Sequence, residues 1–122
     1  VSPRHAALVF VLLLACCAVC RPASAQEDYR AVLDGKTGIF PGAAFKKIFR
    51  FPKATVVTFE TGEPPAAITA YYKKDLTARG WSVQVDDIGK QAAYLLLTKD
   101  GRTCIVEAQR GLPGRTGFSV SL

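Results

Sequence analysis

Residues 64–81 read PPAAITAYYKKDLTARGW, and the reading of this stretch decides the fold. Ile68, Tyr71, Tyr72 and Leu76 recur at helical spacing and make one apolar stripe. Pro64 and Pro65 suit a first turn, where a missing N–H goes unused. Thr61 or Glu63 stands where a capping side chain is wanted. Lys73, Lys74 and Asp75 fall largely off the stripe, and Gly80 sits where a left-handed C-terminal cap belongs. The pattern predicts a helix over residues 64–79.

On both sides of that helix the period changes to two. Upstream, Ala44 to Phe51 alternates, with Phe45, Lys47, Phe49 and Phe51 on the expected inner side and Lys46, Ile48 and Arg50 opposite. Thr55 to Thr61 is β-branched and suits a second strand, with Val57 and Phe59 inward. Downstream, Trp81, Val83 and Val85 alternate with Ser82, Gln84 and Asp86, and Ala93 to Lys99 follows as another strand. Asp100-Gly101 favours a tight primed hairpin turn. Cys104, Val106 and Ala108 then alternate, and after the turn at Gly111 to Gly114 so do Thr116, Phe118, Val120 and Leu122. The order is β-β-α-β-β-β-β. One helix and several antiparallel strands predict a two-layer α+β domain, the helix packed on one face of a sheet of about five or six strands.

The N-terminus reads differently. Val9 to Leu14 opens an apolar run that continues to Cys20, Arg21-Pro22 ends it, and Ala23-Ser24-Ala25 supplies the small residues of a cleavage site. Residues 1–25 therefore read as a secretory signal peptide, shorter than the roughly 20 apolar residues that span a bilayer. Residues 26–42 read as a lead-in segment and 43–122 as a single domain. A rival reading takes Leu13-Leu14-Ala15-Cys16 as a lipobox, with Cys16 lipidated and the domain held at a membrane. The expected location is thus periplasmic or secreted, or anchored by lipid in the envelope.

Pro41-Gly42-Ala43, followed by a β-rich stretch, Tyr71-Tyr72-Lys73, Leu76 and Gly80-Trp81, resembles a recurring bacterial pattern. It is similar to small exported or lipoprotein-type domains with a PGA motif and an (F/Y)Y-K-x-x-L-x-x-x-G-W helix end, over about residues 39–122. That group implies a fold and an exported setting, and no activity or site residue. The same residues read physically as a packing stripe, a cap and the start of a strand.

Loss of the leader would remove three of the four cysteines and His5, the one histidine of the chain. Cys104 alone would remain, so neither an internal disulfide, a Ser-His-Asp or Cys-His nucleophile nor a zinc site of the usual kind can be assembled. No cofactor or metal is expected. Asp86-Asp87 lacks calcium-loop spacing, and Gly111-Leu112-Pro113-Gly114 lacks a following helix to hold phosphate. Cys104 shares parity with inward residues and reads as a buried, inert thiol, with an intermolecular disulfide as the alternative.

Without Arg4 and Arg21 the charge is fourteen Lys and Arg against ten Asp and Glu, a net +4. Lys46, Lys47, Arg50 and Lys53 cluster among aromatic residues and are the candidate binding residues. They suit an anionic surface, lipid headgroup or cell-wall polymer, or an acidic protein face. They equally suit an edge strand that uses lysine against aggregation. Export argues against nucleic acid as partner, and membrane contact requires lipidation. The sequence points to a small non-catalytic exported envelope protein acting as a binding module. The alternative is a structural or accessory subunit that assembles through an edge strand. An enzyme or thiol-redox protein is the third class.

Overall fold

A computed structural model describes residues 29–122. The expected signal peptide at residues 1–25, with Cys16, and the first residues of the expected lead-in lie outside the described residues. Residues 29–31 belong to a unit formed by residues 1–31, and Val32–Leu122 forms the other, which holds the helix and the sheet.

Six strands and a helix follow in the expected order: β1 (Ala44–Phe51), β2 (Ala54–Thr61), α1 (Pro65–Ala78), β3 (Ser82–Ile88), β4 (Ala92–Lys99), β5 (Arg102–Arg110) and β6 (Thr116–Ser121). The strands form one antiparallel sheet of order β1-β2-β6-β5-β4-β3. The helix packs on one face, against β3, β4, β5 and β6. This is the two-layer α+β architecture that the change of period implies. Asp100 and Gly101 both have positive φ, 51° and 74°, as a primed β4–β5 turn requires.

The end of α1 is built from two backbone bonds. Trp81 N–H donates to Leu76 C=O at 3.0 Å and Gly80 N–H to Thr77 C=O at 3.1 Å. Gly80 has φ +93°, so the helix closes in a left-handed cap of the kind expected there. The other end departs from expectation. Pro64 is the N-cap and no side chain caps the helix; Thr61 Oγ1 instead accepts from Glu63 N–H at 3.4 Å. With prolines at 64 and 65, donors are already missing from the first turn, and little is left to cap.

The stripe reaches the core as expected. Ile68, Tyr72 and Leu76 are fully buried. Against them lie Val57, Phe59, Leu95, Leu97, Cys104, Val106, Phe118 and Val120 from the sheet. Phe59 and Phe118 stack at 5.1 Å between centroids, and Phe40 meets Phe118 edge-on at 6.0 Å.

Two outer strands correct the alternation. A bulge between Phe45 and Lys47 sets Phe45 opposite Phe59 but Ile48 opposite Val57. The extra residue reverses the parity of the rest of the strand. Phe49 and Phe51 therefore lie on the face away from the helix, 40% and 58% exposed, while Ile48 and Arg50 take the helix side. A second bulge, between Val83 and Val85, does the same to β3. Val85 turns outward, and Asp86 turns to the helix side, where its carboxylate pairs with Lys73 at 2.8 Å.

Residues 38–40 are strapped to α1 by three side chains. Asp75 accepts from Gly38 N–H at 2.8 Å, Tyr71 donates to Ile39 C=O at 3.2 Å, and Tyr72 accepts from Phe40 N–H at 3.2 Å. The tyrosine pair is thus more than packing. The Tyr72 ring fills the core and the Tyr71 ring is half-buried beside it, while the two hydroxyls satisfy an irregular segment that no sheet neighbour pairs. Desolvation pushes both tyrosines above the ordinary phenol range.

Candidate functional site

The helix covers one face of the sheet, and the other face carries side chains with nothing packed over them among the described residues. Cross-strand register arranges these in rows. Phe49, Val56, Ser121, Ile105, Leu96 and Val85 stand opposite one another in turn, from β1 to β3. All but Ser121 are apolar, and the two end members, Phe49 and Val85, are 40% and 43% exposed.

The next row is polar: Lys47, Thr58, Ser119, Glu107, Tyr94 and Asp87. It begins with a cation at the β1 edge and ends with carboxylates toward β3. Lys47 Nζ lies 5.0 Å from the Phe49 ring centroid, so the cation and the apolar row meet at that edge. Over the polar row and past it a broad recess of about 950 Å³ opens, lined among others by Lys46, Glu60, Tyr94, Glu107, Arg110 and Arg115. Arg115 pairs with Glu60 at 3.1 Å, which leaves the recess with charges of both signs.

The four basic candidates do not stay together. Lys46 is the bulge residue and lines the recess, and Lys47 stands beside it on the open face. Arg50, which shares parity with Lys46 in an unbroken strand, is carried to the helix side by the bulge. Lys53 is exposed in the turn between β1 and β2. The members that the sequence pattern did not single out are Val56, Leu96 and Ile105. Their signal is the loss of alternation in Val56-Val57, Leu95-Leu96-Leu97 and Cys104-Ile105-Val106, where neighbouring residues on opposite faces are both apolar.

Cys104 is fully buried, and desolvation pushes its thiol up to about 12. At neutral pH the nucleophilic thiolate is therefore absent from the folded state. Among the described residues no group of three or more His, Cys, Asp or Glu side chains converges to hold a metal ion. No helix among them is long and apolar enough to cross a membrane.

Comparison with known proteins gives one positive finding. The profile of the family described as START domain-like matches residues 47–117, from β1 through the first residues of β6. Neither the curated proteins nor the solved structures return a match. Because the matched segment takes in more than half of the chain, with α1 and strands β2 to β5 whole, this protein belongs to the START domain-like family.

Proposed function

We propose that this chain is a non-catalytic binding module of the cell envelope whose partner is a protein seated on the open face of the sheet. The observation that carries the reading is the apolar row from Phe49 to Val85, bordered by a polar row that changes sign along its length. An apolar strip with a polar rim is how a protein interface is made. A uniformly anionic polymer or headgroup layer would be repelled by Glu107 and Asp87 at one end. A protein of opposite polarity would be oriented by both ends. Export rests on the leader-like residues 1–25 and on the resemblance to exported domains.

Strand addition at an edge is less well supported. Both edge strands, β1 and β3, carry a bulge, which twists an edge away from further pairing.

A photo-crosslinking residue placed at Leu96 or Ile105 tests the reading. One discrete protein adduct is expected from each position in intact cells, and none from Thr77 on the exposed side of α1. The adduct is expected to fall sharply in a Lys47→Glu, Asp87→Lys variant and to survive about 0.3 M salt, where exposed charges are screened beyond about 6 Å. Equal adducts from both faces would remove the claim. Intact mass of the envelope form decides the leader: a chain beginning at Gln26, or a lipidated Cys16.

A further inference from the structure

The open face is not the only recess. A narrower cleft of about 210 Å³ lies where the C-terminal end of α1, the β4–β5 hairpin and the turn after Leu33 meet. Four cationic residues line it: Lys36, Arg79, Lys99 and Arg102. No Asp or Glu side chain does. From its register opposite Lys99, Arg102 shares with it the helix side of the sheet. Lys99 Nζ donates to Arg79 C=O at 2.7 Å, which brings a cation to the negative end of the helix. Arg79 Nε meets Asp75 at 3.1 Å. Lys36 and Arg102 have no ion-pair partner among the described residues.

We infer that this cleft is a binding site for a phosphate-bearing anion. Three of its four cations, Lys36, Lys99 and Arg102, have no carboxylate partner among the described residues, around a space of the right size for a phosphate and a few attached atoms. Like charges gathered this closely repel one another, and a bound anion reverses that term. Arg102 and Arg79 supply planar donor forks and Lys36 and Lys99 supply point charges, the two kinds of donor that phosphate oxygens accept. Trp81 and Val32 form an apolar wall, so the phosphate can carry an organic substituent. The site stands independently of the open-face reading, because the two share no lining residue.

The cleft contains the only tryptophan of the chain, Trp81, which serves as the reporter. Its fluorescence is followed as inorganic phosphate is added, and separately as phosphatidylcholine vesicles with and without phosphatidic acid are added. A saturable change is expected in at least one arm, weakened about tenfold or more by Lys36→Gln with Arg102→Gln. Both residues are exposed, so the variant is expected to keep the parent's far-ultraviolet dichroism and melting temperature. Lys74→Gln with Lys90→Gln, two exposed lysines outside both recesses, removes the same charge elsewhere and is expected to leave binding unchanged. Saturation by phosphate identifies a free anion as the ligand, and response to the phosphatidic acid vesicles alone identifies a headgroup. Silence in both arms overturns the proposal. So does binding that is indifferent to Lys36 and Arg102, or that the control pair weakens equally.

Discussion

Tyr72 shows how one side chain can serve packing and hydrogen bonding together. Its ring is fully buried and its hydroxyl accepts from Phe40 N–H. Tyr72→Phe keeps the ring and strands a buried backbone donor. The expected cost is about 1–3 kcal/mol, read by urea denaturation, the penalty for leaving such a group unpaired. Cys104 is the counterpart without a partner. Its thiol has an ordinary value of 9.0 and is raised to about 12 by burial. A raised folded-state value means that the folded form holds its proton longer than the unfolded form does. This contribution is fully present below pH 9 and is lost as pH rises toward about 12. Stability is therefore expected to fall over that alkaline interval and to fall less steeply in Cys104→Ala. Tyr72, raised for the same reason, adds to the slope above pH 10. At pH 8 a thiol reagent is expected to label Cys104 only on unfolding; rapid labelling of the folded protein would mean an open thiol and would restore the redox reading.

Helix α1 and strand β1 owe their limits to different devices. The end of α1 depends on Gly80 at φ +93°, which also delivers Trp81 to the core, where it is 8% exposed. Gly80→Ala forces a Cβ into left-handed backbone and is expected to cost about 1–2 kcal/mol, seen as a lowered melting temperature. In β1 the device is an added residue. Phe45 pairs with Phe59 and Lys47 with Thr58, so Lys46 is the one left over. Deleting Lys46 joins the two registers without reversing either. The deletion is expected to preserve the fold, with an exchange-protection pattern in β1 and β2 like the parent's. It also straightens an edge, and concentration-dependent self-association by sedimentation is the expected consequence. Deleting Ile48 instead reverses the parity of Phe49 and Phe51 and is expected to disorder the end of the strand.

For the whole molecule, the asymmetry of the two sheet faces is the central fact. Leu95 and Leu96 are neighbours on β4, with Leu95 fully buried under α1 and Leu96 half-buried on the open face. Leu95→Ala is expected to cost about 2–5 kcal/mol, as buried leucines do. Leu96→Ala should cost under about 1.5 kcal/mol, because much of its apolar surface stays in water. Equal losses in denaturant titrations would mean that the second face is covered as well. Sequence alone determined what depends on near neighbours: the helix from its stripe, the Gly80 cap, the Asp100-Gly101 turn, the order of strands and so the two-layer class. These come from periodicity and local backbone preference, which a linear pattern contains. Tertiary structure decided the rest. A bulge is a relation between two strands, so no single strand announces that Phe49 and Val85 will turn outward. The strap from Asp75, Tyr71 and Tyr72 joins segments more than thirty residues apart. The cleft draws Lys36, Arg79, Lys99 and Arg102 from separate turns and ends. Charges and apolar groups acquire a role only from their neighbours in space, and those neighbours are set by how the sheet pairs and which of its faces the helix covers.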